Sequence, residues 1–310
     1  MSEKNIFIGI DVSQSKLDVA VANSAEFKSF DNTEDGQSEM KDFIGSKKPS
    51  LIVIESTGGF EKGAVRVLAS AGLSIVAVNP RQVRDFAKAM GILAKTDKID
   101  ARVIARFAEE VKPAERPLKT EEEERLDSLN SRRFQIVEMI TAERNRLIHA
   151  TKWTRKGIQS HIKMLEKSLI EINKEMDDLI KNSPIWHQKD QILQSIPGVG
   201  KIMARTLLAD MPEIGTINRK QISALGGVAP LNRDSGKYKG RRSIWGGRAN
   251  VRSVLYMCAL TGIRCNHKIK DFYERLRAAG KSFKVAITAC MRKLLVIINT
   301  MVKNETCWVS

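Results

Sequence analysis

Four carboxylates stand where an apolar segment gives way to a polar one. Asp11 closes Phe7-Ile8-Gly9-Ile10, Glu55 closes Leu51-Ile52-Val53-Ile54, and Asp97 and Asp100 lie three residues apart at the head of a helical pattern that runs to Glu110. Carboxylates at strand ends face the crevice in which open α/β sheets bind ligands. A spacing of three puts two side chains on one helix face. Four such groups brought together repel one another unless cations lie between them. Two Mg²⁺ ions about 4 Å apart are the usual solution, and they suit phosphodiester chemistry because they hold the attacking and leaving oxygens. Taken singly, each residue has a plainer reading. Asp18 lies on the same hairpin as Asp11, Asp85 lies on a neighbouring helix, and Asp97 can simply cap the helix that follows it.

The elements that would position these groups follow from hydrophobic periodicity. Ile6 to Ala22 alternates apolar and polar residues around a break at Ser13–Ser15, a hairpin of two strands, with a third strand near Phe27–Phe30. Ser38–Ile44 is helical, Leu51–Ile54 is a buried parallel strand, Glu61–Ala71 is a helix closed at Gly72, and Ser74–Val78 is a strand stopped by Asn79-Pro80. Strands alternating with short helices make an α/β layer fold over residues 1–118. Residues 119–190 then change character, with Gly157 as the one glycine between Thr120 and Asn182. Leu126, Leu129, Arg133, Ile136, Ile140, Glu143 and Leu147 mark one long helix. Ile158, Ile162, Leu165, Leu169, Ile172, Met176 and Leu179 give a second a heptad seam. A break near Thr151–Gly157 folds them into a hairpin or coiled coil, packed within one chain or against a second subunit.

The formal charge of +16 decides where a polyanion would bind. Residues 1–118 hold 17 Lys/Arg against 17 Asp/Glu, residues 119–190 hold 14 against 13, and residues 191–310 hold 21 against 6. The excess is confined to the last segment, a mainly α domain, which marks it as the surface that neutralises phosphates. Within it Ile196-Pro197-Gly198-Val199-Gly200 enters a helix at Lys201 and is similar to a helix-hairpin-helix element. Its glycines offer N–H groups to a phosphate, although a ligand-free tight turn has the same composition. Further on, Asn232 to Arg242 carries Arg233, Lys237, Lys239, Arg241 and Arg242 against Asp234 alone, with Tyr238 available to stack on a base, and Arg248 and Arg252 follow. By residue chemistry Ser235 and Ser243 are ordinary serines of a basic loop. Cys258, Cys265, Cys290 and Cys307 have no zinc spacing. No apolar run is expected to span a bilayer, and the first residues lack an export signal. The chain is therefore expected to stay in the cytoplasm and to have no membrane partner.

Gly9-Ile10-Asp11-Val12-Ser13 with Lys16-Leu17-Asp18-Val19, Ile54-Glu55-Ser56-Thr57-Gly58, Val78-Asn79-Pro80 and Lys95-Thr96-Asp97-Lys98-Ile99-Asp100-Ala101 together resemble the DEDD insertion-sequence transposases, the family that includes the Piv and MooV DNA invertases. The resemblance keeps its order along essentially the whole chain. It implies a RuvC-like, RNase-H-like catalytic domain in a prokaryotic, nucleoid-associated protein, with Asp11, Glu55, Asp97 and Asp100 as the Mg²⁺-binding tetrad. It also implies that Ser235, with Ser243 as second choice, attacks DNA phosphate and becomes covalently linked to it. An element-encoded bridge RNA would pair with the element ends and the target DNA, and the protein would work as a dimer or tetramer. Three other readings fit parts of the pattern. A junction resolvase would use water as nucleophile, and a nonenzymatic DNA-binding protein would leave the tetrad without purpose. A sugar-kinase-like ATPase would need a second phosphate loop on a strand, which Pro230-Leu231-Asn232-Arg233 is not expected to form.

Overall fold

A computed structural model describes residues 5–94, 96–115, 119–232, 234–236, 238–240 and 242–309, with Lys239 described by its backbone alone. The chain divides into two compact units, 1–118 and 119–310.

The first unit opens with β1 (Phe7–Val12), β2 (Lys16–Val21) and β3 (Phe27–Asp31), followed by α1 (Glu34–Gly45), β4 (Leu51–Glu55), α2 (Lys62–Ser70), β5 (Ile75–Val78), α3 (Pro80–Ala89) and α4 (Asp97–Val111). Its single sheet has the order β3-β2-β1-β4-β5. β1, β2 and β3 form an antiparallel meander, and β4 and β5 run parallel to β1. This is the RNase-H-like arrangement. One face of the sheet, with Ile8, Ile10, Leu17, Val19, Ile52 and Ile54, packs on α1 and α2. The other carries Phe7, Leu51 and Val53 against Val83 of α3 and Val103, Ile104 and Phe107 of α4.

Helix α4 lies directly on the centre of the sheet because small residues let it. Ala20, Ala101 and Ala105 form a buried cluster of their own, and a Cβ on Gly9 would sit 2.1 Å from the Ala105 backbone nitrogen and 2.5 Å from the Ala101 carbonyl. A methyl group there cannot be absorbed by a rotamer change, since the obstruction is backbone. Gly9→Ala is therefore expected to cost about 3 kcal/mol, the upper end of ordinary overpacking, and to push α4 off the sheet. Urea unfolding of the variant checks this, and a midpoint equal to wild type would refute the close approach.

The second unit begins with α5 (Glu121–Ile148) and α6 (Lys152–Asn182). Thr120 and Glu123 form a capping box at the head of α5. The turn is shorter than the sequence suggested: His149–Thr151 reverses the chain, and Gly157 lies inside α6. The middle of the heptad seam is used within the hairpin, where Leu165, Leu169 and Ile172 meet Ile136, Met139 and Ile140. Leu126, Met176 and Ile180 at its base belong to the same core as the helices that follow. Those are α7 (Pro184–Gln194), α8 (Lys201–Asp210), α9 (Arg219–Leu225), α10 (Ala249–Cys265), α11 (His267–Ala278) and α12 (Phe283–Lys303).

Between α9 and α10 the expected basic loop is instead a ribbon of four two-residue strands, β6 (Pro230–Leu231), β7 (Asp234–Ser235), β8 (Tyr238–Lys239) and β9 (Ser243–Ile244). β6 pairs with β9, and β7 pairs with β8. Pro230-Leu231 is thus a strand after all, but one in a separate two-stranded sheet. Against expectation too, α12 is long and apolar enough to cross a bilayer. Its Ile287, Met291, Leu294, Leu295 and Ile298 are at most 3% exposed in the core, which accounts for its composition as a central core helix.

Candidate active site

Strand register places the carboxylates. Ile10 pairs with Ile54 across the parallel β1/β4 ladder, so Asp11 and Glu55 follow one residue on at neighbouring strand ends. Alternation along each strand sends Asp11 to the side of Phe7 and Gly9, and Glu55 to the side of Leu51 and Val53. Both therefore project from the face that α4 covers. That helix runs antiparallel to β1: Lys112 at its C-terminal cap lies over the Phe7 ring, while Ala101 and Ala105 lie against Gly9. Its first turn, with Asp97 and Asp100, consequently ends at the Asp11 end of the strand.

The local structure fixes these positions through neighbours. Thr96 caps α4, its hydroxyl accepting from the Ile99 N–H at 3.3 Å, so Asp97 is not needed as the cap. Acidic residues in a first turn are also favoured by the helix dipole, which gives Asp97 and Asp100 a second reason to be acidic. Past Glu55 the chain turns sharply. The Glu61 carboxylate accepts from the N–H groups of Thr57 and Gly59, each at 3.0 Å, and clamps the loop that ends β4. Asp11 accepts from the Val12 N–H at 3.0 Å.

Electrostatics tie the four together. Burial, then the charges of Glu55 and Asp100, push the Asp11 carboxyl up to about 7; Asp97 adds to this, and the Val12 N–H works the other way. As placed, no three acidic, histidine or cysteine side chains among the described residues form a group that could hold a metal ion. The donor chemistry nonetheless suits a hard divalent cation: all oxygen, all anionic, and costly to leave uncompensated. The direction of the shift gives a test. An unfolded aspartate titrates near 3.8. Between that value and about 7 the folded chain holds the extra proton, so stability falls as pH rises through this window, and the full penalty is present above it. Metal-free Asp11→Asn is expected to melt higher than wild type at about pH 8, the gap closing as pH falls toward about 4. A gap independent of pH, measured by calorimetry, would remove the electrostatic cause.

The sequence offers Asp18 only as another carboxylate on the hairpin of Asp11, and register gives it a sharper place. It pairs directly with Asp11 across the hairpin, is 8% exposed, and shares the face of Ala20, the α4 side. The signal was present in the two-residue spacing from Ala20, but the face could not be assigned without the helix above it.

In the second unit Ser235 pairs with Tyr238 at the far end of the ribbon, and both are exposed. Among the described residues none hydrogen-bonds the Ser235 hydroxyl. Arg233, Lys237 and Arg241 lie outside the described residues, as does the Lys239 side chain, and Arg242 is exposed beside β9. The ribbon's base is built backbone to backbone, since a Cβ on Gly247 would lie 2.3 Å from the Gly227 nitrogen. Arg252 donates to the Gly246 carbonyl at 2.6 Å, and Arg248 forms a two-pronged pair with Glu213 at 2.6 and 2.7 Å. Arg252 thus holds the ribbon's base to α10, and Arg248 ties the head of α10 to the turn between α8 and α9. In the α7–α8 turn Gly198 packs against Gly262 of α10, 3.0 Å from where its Cβ would be, whereas Gly200 and Lys201 face outward.

Comparison with known proteins agrees with this layout. Residues 8–152 match the IS110-type DEDD model described as Transposase, and residues 190–274 match the model described as Transposase IS116/IS110/IS902 family. The pilin gene-inverting proteins of Moraxella bovis and Moraxella lacunata are each 26% identical over 309 residues, covering 96% of either chain. An uncharacterized 42 kDa protein of insertion element IS900 from Mycobacterium paratuberculosis is 29% identical over 150 residues, 46% of this chain and 37% of that protein. The first model covers the first unit and runs on through α5, the second lies within the second unit, and the two pilin gene-inverting proteins align over 96% of the chain, so this is a DNA-binding, DNA-recombining enzyme that belongs to the IS110/IS116/IS902 transposase family.

Proposed function

We propose that this transposase cuts and rejoins the ends of its own insertion sequence and a target DNA through a covalent serine intermediate. Asp11, Glu55, Asp97 and Asp100 would hold two Mg²⁺ ions, which when bound supply charge neutralisation and polarisation of phosphate oxygens. The observation that carries this reading is the common α4-side face of Asp11 and Glu55, together with an Asp11 carboxyl that feels the other three acids.

Ser235 Oγ would attack the scissile phosphorus, one P–O bond forming as one P–O bond to deoxyribose breaks. The hydroxyl proton passes to a base and the departing sugar oxygen takes up a proton. The phosphodiester count is unchanged, so reversal rejoins strands without ATP. An exposed serine at the tip of the ribbon, whose base is held by Arg252 on the Gly246 carbonyl, suits attack on a bulky substrate. Gly200, Lys201 and Arg242 on this unit, with Arg233, Lys237, Lys239 and Arg241, would hold the backbone, with Gly198 shaping the turn.

The same basic unit suits RNA as well as DNA, and a bridge RNA would read sequence while the protein reads shape and backbone. Exposed Ile148, Trp153, Met164 and Ile170 on the hairpin would support a dimer or tetramer working in a prokaryotic cytoplasm near the nucleoid. Incubating the protein with element-end and target DNA, with and without the element's flanking noncoding RNA, tests the reading. Joined products that need the RNA are expected; equal joining without it would remove the guide.

A further inference from the structure

The second unit contains a cavity of about 850 Å³ between the ribbon and α12. That falls within the roughly 300–1,000 Å³ of ordinary ligand sites, room for a nucleobase and its sugar. Val228 and Ile244 line one side and Val285, Ala289 and Ile297 the other, so the interior is largely aliphatic. Its cations are Arg242, Lys284, Arg292 and Lys293, and no carboxylate is among the lining residues described. Lys293 is engaged, its ammonium 4.5 Å from the Phe272 ring centre and donating to the Lys268 carbonyl. Arg242, Lys284 and Arg292 pair with no carboxylate among the described residues. An apolar interior rimmed by cations, three of which meet no carboxylate among the described residues, is complementary to a chain with apolar faces and anionic links. A duplex keeps its bases stacked inside and cannot fill it.

We propose that this cavity receives an unstacked thymine of single-stranded DNA, with the flanking phosphates on Arg242, Lys284 and Arg292. The aliphatic lining suits the thymine methyl group. Ser243 and Thr288 are its neutral hydroxyl groups; Thr288 donates to the Lys284 carbonyl at 2.7 Å and could still accept from the base's polar edge, while Ser243 could donate to it. The cavity shares strand β9 with the ribbon that carries Ser235, so the captured nucleotide would lie in the strand being transferred. This rests on the reading of the ribbon as the strand-transfer segment.

The test uses the full chain and fluorescence anisotropy with four probes: a dT oligonucleotide, an rU oligonucleotide, the dT strand with abasic sites, and a duplex. Wild type is expected to bind dT more tightly than rU or abasic strand. Ala289→Trp fills the cavity, and Val285→Trp fills it from a position already 46% exposed, where folding is less at risk. Each should weaken dT binding about tenfold, the scale of one base contact, and leave abasic and duplex binding unchanged. Unaltered dT binding in both variants, equal losses on all probes, or rU bound as tightly as dT would overturn the proposal. So would loss of self-association with dT binding intact, which would make a second copy the occupant. Ser235→Ala must keep the dT preference, so failure of the nucleophile assignment and failure of the cavity assignment are read separately.

Discussion

Asp11→Ala and Asp100→Ala are each expected to lower strand cleavage by about a thousandfold or more, the scale of losing a group that stabilises transition-state charge, with nucleic-acid affinity nearly intact. The two activities separate because the charges do. Of the formal +16, residues 191–310 supply 21 Lys/Arg against 6 Asp/Glu, whereas residues 1–118 are balanced at 17 each. Counterion release, which dominates affinity, depends on how many phosphates are neutralised, and removing an N-terminal acid alters none of those contacts. Cleavage assays beside binding titrations across a salt series check this. The slope of affinity with salt should be that of wild type. Parallel loss of binding and cleavage would mean that the first unit carries the DNA.

The same variants separate chemistry from folding. Asp11 repels Glu55 and Asp100, so deleting its charge relieves strain in the metal-free chain, and an inactive Asp11→Ala protein should be no less stable than wild type. Gly9→Ala differs. It displaces α4 itself, so it should lose stability and cleavage together. A pair of variants two residues apart on β1 thus distinguishes a charge effect from a positional one.

Much of this site was legible in the sequence because its parts sit at the ends of strongly patterned elements. Leu51–Ile54 is an apolar run typical of a buried parallel strand, and Glu55 closes it. Where side-chain pattern and backbone packing diverge, the reading slipped. Helix α1 begins at Glu34, four residues before its first apolar pattern, because Thr33 caps it and Gly36 packs against the Asp31 backbone. Glu34-Asp35-Gly36 reads locally as a turn. Gly157 marks one end of the break expected near Thr151–Gly157, yet it lies inside a 31-residue helix, where its cost of about 1 kcal/mol relative to alanine is outweighed by the packing of the hairpin. The Arg248–Glu213 pair spans 35 residues and could not be seen as structural. In the chain alone that arginine is one more basic residue in a basic segment. The ribbon was missed because its two-residue strands are too short to alternate.

Ser235→Ala is expected to bind substrate and form no protein–DNA adduct, and Glu55→Gln, with Ser235 intact, is expected to form none either. The two residues belong to different units and are 180 positions apart in sequence, so both requirements hold only if the units, from one chain or two, act on one phosphate. A serine hydroxyl is a weak nucleophile at neutral pH and needs activation, and none of the described residues hydrogen-bonds Ser235 within its ribbon. Under the proposed reading the lysines that follow Ser235 in sequence, Lys237 and Lys239, would position the phosphate, and the acidic centre would supply the activation. Glu55→Gln keeps the shape of the β4 end and removes one charge, which makes it a cleaner probe than truncation. Labelled DNA trapped on denatured protein and mapped by peptide mass reads the result. A full yield of adduct from Ser235→Ala would move the nucleophile, with Ser243 the next residue to map. Adduct from Glu55→Gln at the wild-type rate would uncouple the serine from the tetrad. Recombination by wild type with no adduct at any time point would make water the nucleophile, and the chemistry would then be that of a resolvase.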